Sequence, residues 1–377
     1  MRLNLRRLLA PVLSFLGIAV FAGSAWSQDP APKLPASLQP TLGAPIYVDN
    51  TNNARGDTSG VVGGIGMYVV KPYFDSQRAF TRTTFAPAPA GIQITNTDFD
   101  YSTSVSPRLW LGYVNNCGWG VRASGWFFDQ TSSQATSLSP ADVAAGTTIS
   151  SASPAGFPLS TGPNGGTANL GIGTEFLNVR SRLRVDIGDF EITKAFDVGR
   201  SMILVSAGAR VAYIANDYRA SLSNDANDPA VLFNTIVLNN TQRFTGAGPT
   251  VSLQGHCPIG NGGFAMYGMG RAAFVAGQYR SETNIVNTTI IANGVPVVNT
   301  PVASISSHNL IVPMGEVELG GEWNATQGRI RPLFRVGVVA HSYQNVFNNN
   351  VGGVPNTTGV NSSLSFLGFT VATGIRY

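Results

Sequence analysis

Apolar and polar residues alternate with a period of two over most of the chain beyond residue 63. The alternating segments are rich in Val, Ile, Phe, Tyr and Gly, a pattern that predicts β-strands with one apolar face and one small or polar face. We therefore predict an all-β chain whose ten strands lie at residues 64–74, 104–113, 119–128, 176–190, 201–213, 243–256, 264–279, 306–323, 329–343 and 364–377.

The connections between these strands alternate in length without exception. The short turns lie near residues 115, 198, 260 and 326, and the long connections, rich in Ser, Thr, Asn, Gly and Pro, are 75–103, 129–175, 214–242, 280–305 and 344–363. Outer-membrane barrels have long extracellular loops and short periplasmic turns, and an even strand number returns the chain to its starting side. We predict a transmembrane antiparallel up-and-down β-barrel at residues 63–377, with both termini periplasmic. Twelve strands remain possible, because 129–175 is long enough to hold another hairpin.

Residues 1–62 have a different composition. Arg2, Arg6 and Arg7 precede an apolar run at 8–22, and a small-x-small pattern ends at Ser27, which together predict a secretory signal peptide at 1–27. The apolar run is shorter than the ~20 residues of a membrane-spanning helix. Prolines are frequent among the small and polar residues that follow, so residues 28–62 are predicted to form an extended periplasmic linker.

The low charge content favours a membrane location. Charged residues make up 12% of the chain, about half of the ~25% that is usual in soluble proteins. The predicted signal peptide holds three of the 24 basic residues and none of the 20 acidic ones, so the remainder carries 21 − 20 = +1. Without a Lys/Arg-rich run, this part of the chain is not expected to bind nucleic acid.

The last strand has the clearest two-faced pattern. Its apolar phase is predicted to face the lipid of the outer membrane and comprises Phe369, Val371, Ile375 and Tyr377. A terminal aromatic residue after such a strand is typical of the signal that the barrel-assembly machinery binds, so this machinery is a predicted partner.

Aromatic residues at the predicted strand ends indicate two interfacial girdles. The periplasmic girdle is predicted at Tyr113, Trp119, Phe196, Phe264, Trp323 and Tyr377. The outer girdle is predicted at Phe74, Phe128, Phe176, Tyr213, Tyr279 and Tyr343.

Several stretches resemble the pore-forming outer-membrane barrels typified by the Legionella major outer-membrane protein. They are residues 98–101 with 108–113 and 119–128, the glycine-then-arginine strand at 205–213, and the Phe-Thr-Gly-Ala-Gly-Pro run at 244–249. The resemblance spans residues 64–377 in pattern and implies an outer-membrane barrel that forms a pore. The Cys-Gly-Trp-Gly turn at 117–120 departs from that pattern and resembles barrels of planctomycete-like bacteria.

Charged residues of the phase opposite to lipid are predicted to line the lumen, since an arginine facing mid-membrane lipid costs about 2–4 kcal/mol. The basic set begins with a column on the fourth strand and comprises Arg180, Arg182, Arg184, Arg108, Arg122, Arg210, Arg271, Arg331 and Arg335. The acidic set is Asp186, Glu316, Glu318 and Glu322. If the eighth and ninth predicted strands form a hairpin whose turn is centred on residues 326–327, Glu318 faces Arg335 and Glu322 faces Arg331.

These charges predict a pore for passive diffusion of small solutes with a weak anion preference. The alternative is a packed, closed lumen in a structural or adhesive barrel, since ten strands fall between the filled ~8-strand barrels and the open ~16-strand ones. An enzyme is not predicted, because His308 and His341 near the rim have no fixed acid or nucleophile partner.

No cofactor or metal is predicted. Cys117 and Cys257 have neither CxxC nor metal-ligand spacing. In an oxidising periplasm they form either one disulfide or two unlinked thiols, and the sequence leaves both alternatives open. The oligomeric state is likewise open.

Overall fold

The computed structural model describes residues 60–75, 77–85, 91–151, 174–225, 234–260, 262–290, 296–298, 302–325, 331–349 and 360–377. The predicted signal peptide and residues 28–59 of the predicted linker lie outside this part, whereas residues 60–62 belong to the first strand. Among the described residues, no helix combines the length and apolar character needed to cross a membrane.

The described chain is almost entirely β-structure. Its strands are β1 (Gly60–Phe74), β2 (Arg78–Phe85), β3 (Ile92–Asp98), β4 (Ser104–Val114), β5 (Trp119–Leu138), β6 (Thr148–Ser151), β7 (Thr174–Val198), β8 (Ser201–Asp225), β9 (Asn234–Ile259), β10 (Phe264–Ile290), β11 (Pro296–Val298), β12 (Val302–Asn324), β13 (Arg331–Asn349) and β14 (Val360–Arg376). A short helix, α1 (Pro140–Ala144), lies between β5 and β6.

Ten of these strands close a barrel within the described residues. The order is β1, β4, β5, β7, β8, β9, β10, β12, β13 and β14, and β14 pairs again with β1. All neighbours are antiparallel, and Val61 N donates to Tyr377 O at 3.0 Å where the ring closes. The predicted all-β antiparallel barrel is confirmed, and its strand number is ten.

The two ends of the barrel differ. The chain enters and leaves at the end that also carries the short turns near residues 116, 199 and 262, and we call this the turn end. The opposite end carries the long connections and is called the loop end. Turn glycines Gly118 and Gly199 have φ of 74° and 62°, the left-handed conformation that glycine adopts without strain.

Two long connections have structure of their own. The first contains the hairpin β2–β3, and the second contains α1 and β6, which pairs with β2 to form a separate three-stranded sheet. Arg82 forms an ion pair with Asp142 of α1 at 3.2 Å. The Ser139 hydroxyl donates to the Asp142 carboxylate at 2.8 Å and lowers the pKa of that carboxyl.

Several predicted loops are instead continuations of the barrel wall. Strands β7 to β10 run for 25 to 27 residues, whereas about 9–11 tilted residues suffice to cross a membrane. The segments predicted as loops at 214–242 and 280–305 therefore hold long strand extensions at the loop end. The prediction ended these strands too early because their outward residues become polar once the wall leaves the membrane.

The outward face of the turn-end half is an apolar band suited to lipid. Exposed side chains such as Ile65, Leu111, Phe190, Phe274 and Phe369 cover it, each at 60–62% exposure. The outward phase predicted for Phe369, Val371, Ile375 and Tyr377 agrees with the exposure of the last strand. The six aromatics predicted for the periplasmic girdle are also exposed, at 42–64%.

The predicted outer girdle is wrong for four of its six members. Phe128, Tyr279 and Tyr343 are at most 3% exposed and point into the barrel, and Phe74 also points inward and packs against buried residues. They belong to an apolar core that fills the lumen at and beyond mid-barrel. The first long connection packs on this core: Ala79 and Phe80 join a cluster with Leu177 and other wall residues, and the Tyr101 hydroxyl donates to Ser181 Oγ at 2.7 Å.

Candidate functional site

The turn-end half of the lumen contains a layer of charged side chains. Five of the predicted basic residues point inward and belong to it: Arg108, Arg122, Arg210, Arg271 and Arg335. Three predicted acidic residues, Glu316, Glu318 and Glu322, also point inward. Two acids absent from the prediction, Asp189 and Glu191 of β7, complete the set. We call these ten residues the ion-pair layer.

Two arginines hold the centre of the ion-pair layer. Arg210 is 0% exposed and binds the Asp189 carboxylate through two hydrogen bonds of 2.7 and 2.9 Å. It also lies 2.9 Å from Glu316. Arg271 lies within 2.9–3.1 Å of carboxylate oxygens of Asp189, Glu191 and Glu316. Because β7, β8, β10 and β12 each supply a member, these contacts connect strands on different sides of the barrel across the lumen.

Two further arginines of the layer lie closer to the turn end. Arg122 contacts Glu191 at 2.6 Å. Arg108 binds Glu318 at 2.7 Å, and the Tyr267 hydroxyl donates to the same carboxylate at 2.8 Å. Hydrogen-bonded partners of this kind are what allow charges to be buried in a protein interior.

The predicted pairing of β12 and β13 is wrong in its partners. Glu322 lies opposite Arg335 and forms an ion pair with it, while Glu318 pairs with Arg108 of β4. In the observed register Asn324 lies opposite Leu333, so one strand is shifted by four residues along the other relative to the prediction. An even offset preserves the side-chain phase, so the inward direction of these residues was nevertheless predicted.

A small polar pocket lies beside the ion-pair layer. Its lining is strongly basic and comprises Arg108, Trp110, Arg122, Ser124, Gln254, Arg271, Arg335 and Ala372. Toward the turn end, Arg331 of β13 and Arg376 of β14 lie directly opposite each other, and both belong to the inward-facing side of their strands. The turn-end part of the lumen thus carries an excess of positive charge.

An aromatic layer closes the lumen next to the ion-pair layer on its loop-end side. Phe366 is its central member, with ring centroids 4.9 Å from Phe128 and 5.5 Å from Trp126. His341 packs edge-on against Tyr68 at 5.1 Å and against Trp126 at 4.9 Å. Because these rings are at most 4% exposed, the lumen is filled by side chains at this level.

The predicted lumen column on β7 is wrong. Arg180, Arg182 and Arg184 are exposed on the outer face of the barrel, and Asp186 lies on the same face of the strand. Arg182 pairs with Asp129, and Arg184 pairs with Asp186. The inward phase of this segment is apolar, with Leu177, Val179, Leu183 and Val185 in the core. Beyond the membrane the barrel wall has a dry interior and a wet exterior, so arginine faces outward there.

The predicted glycine-then-arginine pattern on β8 has a structural basis. A Cβ at Gly208 would lie 2.0 Å from the Phe190 carbonyl oxygen and 2.6 Å from Glu191 Cα. Gly208 therefore permits the close approach of β7 and β8 where Glu191 and Arg210 enter the ion-pair layer.

We expect the substitution Gly208→Val to lower the free energy of unfolding by about 1–3 kcal/mol, because the added side chain overpacks this approach. Urea titration of the folded barrel measures the loss. Gly315→Ala is the matched control, since a Cβ at Gly315 meets nothing within 4 Å. Equal stability of the two variants would contradict this role of Gly208.

Other candidate chemistry is not assembled. Cys117 and Cys257 are both exposed and unlinked. Within the described ranges, no three His, Cys, Asp or Glu residues are grouped as metal ligands. His341 points into the lumen, whereas Asp129 and Asp217 face outward, so the wall separates these potential acid–base partners.

Comparison with solved structures finds remote similarity to barrels. The outer membrane protease OmpT from Escherichia coli is 8% identical, with 85% of this chain and 97% of that chain covered and a TM-score of 0.38. The toluene transporter TodX from Pseudomonas putida is 11% identical, with 84% and 90% covered and a TM-score of 0.19. A FadL homologue of Pseudomonas aeruginosa is 6% identical, with the same coverage and a TM-score of 0.24.

The family assignment comes from the sequence. No curated protein matches it significantly. A family model described as Legionella pneumophila major outer membrane protein precursor, however, matches residues 63–376, which is nearly the whole barrel. The predicted resemblance is therefore confirmed, and this chain belongs to the Legionella major outer membrane protein family of bacterial outer-membrane barrels.

Proposed function

We propose that this protein is an outer-membrane channel for small polar solutes whose lumen is closed in the state described above. The observation that carries the proposal is the ion-pair layer, which places ten charged side chains across the barrel interior. Apolar side chains of similar volume often stabilise a protein interior as well as or better than a buried ion-pair network. A charged cross-section therefore favours a role in solute passage over one in stability alone.

The closed state has three barriers in series. The ion-pair layer blocks the turn-end half, the aromatic layer around Phe366 blocks the lumen beyond it, and the apolar cluster that includes Ala79 and Phe80 of the first long connection fills the loop end. Free passive diffusion through this state is not supported, so the channel that we propose opens by rearrangement of both layers and by displacement of the first long connection. Release of Arg271 from its three carboxylates is the smallest change that would loosen the first barrier.

Orientation and assembly form part of the proposal. The turn end would face the periplasm, because short turns are periplasmic in barrels of this class. The outward residues Phe369, Val371, Ile375 and Tyr377 would then be presented to the assembly machinery on the last strand. The separation of His341 from Asp129 and Asp217 by the wall supports a non-catalytic protein.

The weak anion preference rests on different residues from those predicted. In the turn-end half, Arg331 and Arg376 join the five arginines of the ion-pair layer, against its five carboxylates and Asp197 of the inward phase of β7, so the described inward charge is 7 − 6 = +1. In planar bilayers under a KCl gradient, we expect openings whose reversal potential indicates chloride preference. The double variant Arg331→Gln with Arg376→Gln should remove that preference, since it removes the excess charge.

Two controls make the bilayer test decisive. Arg200→Gln removes an exposed charge from the turn between β7 and β8 and should leave the reversal potential unchanged. Arg271→Gln should increase opening frequency. If folded wild-type and Arg271→Gln proteins both fail to conduct, the channel is contradicted; cation preference in the wild type would contradict the anion preference.

A surface barrel with a permanently closed lumen is the second candidate. It is favoured by the three-stranded sheet of β2, β3 and β6, which presents an ordered surface at the loop end. Deletion of the β2–β3 hairpin would abolish binding of a surface partner in that case. For the channel, the same deletion should instead leave ion selectivity unchanged, because the selective residues lie in the turn-end half.

A further inference from the structure

A second cluster of arginines lies outside the barrel, on the face formed by β7 to β10. Its six members are all exposed and face outward: Arg180, Arg182, Arg184, Arg219, Arg243 and Arg280. The wet exterior of the wall explains why arginines face outward here, but neither it nor the channel proposal explains why six of them lie together. We call this set the outer arginine cluster.

The outer arginine cluster begins just beyond the apolar band. The outward residues Val211 of β8 and Phe274 of β10 belong to that band and are 57% and 60% exposed. Tyr213 and Gln278 lie farther toward the loop end on the same two strands, before the first arginines of the cluster.

The arginines of the cluster stand at two heights. Arg184, Arg243 and Arg280 lie in one register row, four residues of strand past Val211, and Arg180 and Arg219 lie four residues beyond that row. At ~3.3 Å per residue and a tilt of ~40°, the lower row stands about 10 Å above Val211 and the upper row about 20 Å above it. The lower row is at the height of the headgroup layer that borders the ~30 Å hydrocarbon core, and the upper row lies on the outer side of that layer.

Strand register brings like charges together in this cluster. Arg180 and Arg219 are direct cross-strand partners on β7 and β8, and Arg243 and Arg280 are direct partners on β9 and β10. Directly opposed like charges destabilise a sheet. An anion bound between the guanidinium groups would remove this repulsion.

The cluster also has a defined surface between its arginines. Ala215 lies between Arg184 and Arg243 in register. It is only 3% exposed although its position faces outward, so neighbouring side chains cover it. Arg184 is one side chain held against the wall, with its guanidinium carbon 5.6 Å from the Tyr213 ring centroid.

Carboxylates neutralise only part of the cluster. Arg182, Arg184 and Arg280 pair with Asp129, Asp186 and Glu282. In the part of the chain that the structure describes, no ion pair is formed by Arg180, Arg219 or Arg243. Asp217 accepts a hydrogen bond from Thr241 and is the cross-strand partner of Arg182. Six arginines thus meet four carboxylates, which leaves an excess of two positive charges.

From these contacts we infer that the outer arginine cluster binds a phosphate-bearing lipid of the outer leaflet. Guanidinium groups bind phosphate oxygens through paired hydrogen bonds, and Arg180, Arg219 and Arg243 have the donors to do so. The acyl chains would lie along Val211 and Phe274 below. This inference needs the loop end to face outward but does not depend on channel activity.

Native mass spectrometry of the folded full-length barrel in detergent micelles tests the inference, with bis-phosphorylated lipid A as the probe. The variant Arg180→Gln, Arg219→Gln, Arg243→Gln should bind lipid A at least about tenfold more weakly than wild type, since the charge-assisted hydrogen bonds to its phosphates are lost. Dephosphorylated lipid A should bind both proteins equally and weakly. Inorganic phosphate should not compete at the same concentration.

Matched single variants separate this site from general charge effects. Arg219→Gln should weaken lipid A binding, whereas Arg200→Gln in the opposite turn should not. Heat-modifiable migration on gels establishes that each variant is folded. Equal retention of lipid A by wild type and triple variant would overturn the inference, as would full competition by inorganic phosphate. A wild-type dimer that the triple substitution dissociates, with lipid retention unchanged, would assign this face to self-association and also overturn it.

Discussion

Replacing Arg210 with methionine should lower the free energy of unfolding by about 3–5 kcal/mol, the usual cost of breaking a buried ion pair by removing one partner. Arg210 is fully buried and supplies the two hydrogen bonds to Asp189 together with the contact to Glu316. Methionine retains much of the side-chain volume. The loss therefore reports on the two carboxylates that would share Arg271 alone.

The measurement is a urea unfolding titration in lipid vesicles, followed by tryptophan fluorescence. Arg200→Met is the control, because the same change in an exposed turn should alter stability by less than about 0.5 kcal/mol. Adding Glu316→Gln to Arg210→Met should recover part of the loss, since it removes one uncompensated carboxylate. A loss below about 1 kcal/mol for Arg210→Met would contradict a dry, coupled ion-pair layer, because a hydrated lumen would solvate the exposed carboxylates.

The barrel itself was predictable because its signals are local. Period-two alternation and the length of the connections depend only on the sequence near each strand, and both survive in the structure. The inward direction of Arg108, Arg122 and Arg271 followed from the same alternation. Their partners did not follow, because ion pairs across a lumen join strands that are far apart in sequence, such as β4 and β12.

The arginine column on β7 shows where this reasoning fails. Arg184 and Phe190 have the same phase and both face outward. The prediction treated the whole strand as crossing lipid, and so it assigned arginines to the lumen. One strand in fact passes through two environments. Its turn-end part has apolar outward residues, and its loop-end part has apolar inward residues such as Leu183. The sequence contained the signal in Phe190 and Ile192, whose phase excludes an inward Arg184.

The same change of environment explains the missed acids. Once Phe190 and Ile192 are placed outward, Asp189 and Glu191 must face the lumen beside Arg210 and Arg122. The alternation of charged and apolar residues at 189–192 would have identified them. The aromatic layer was less accessible to prediction, because Trp126, His341 and Phe366 come from three separate strands and meet only after the ring closes.

Phe366→Ala should lower the free energy of unfolding by about 3–5 kcal/mol, the range found when a large aromatic residue is truncated in a packed core. Its ring contacts those of Trp126, Phe128 and Tyr343 within 4.9–6.1 Å. Truncation therefore leaves a cavity at the centre of the aromatic layer, and urea titration in vesicles measures its cost.

Phe369→Ala provides the matched control on the same strand. Phe369 is 62% exposed on the outward face, so lipid fills the space that its truncation leaves. That variant should lose only the transfer term of about 1.5–3 kcal/mol. A closed lumen requires the larger loss at Phe366, because no solvent or lipid can fill the cavity there. A larger loss at Phe369 than at Phe366 would mean that water reaches the aromatic layer, and the described lumen would then be open at the level where its rings meet.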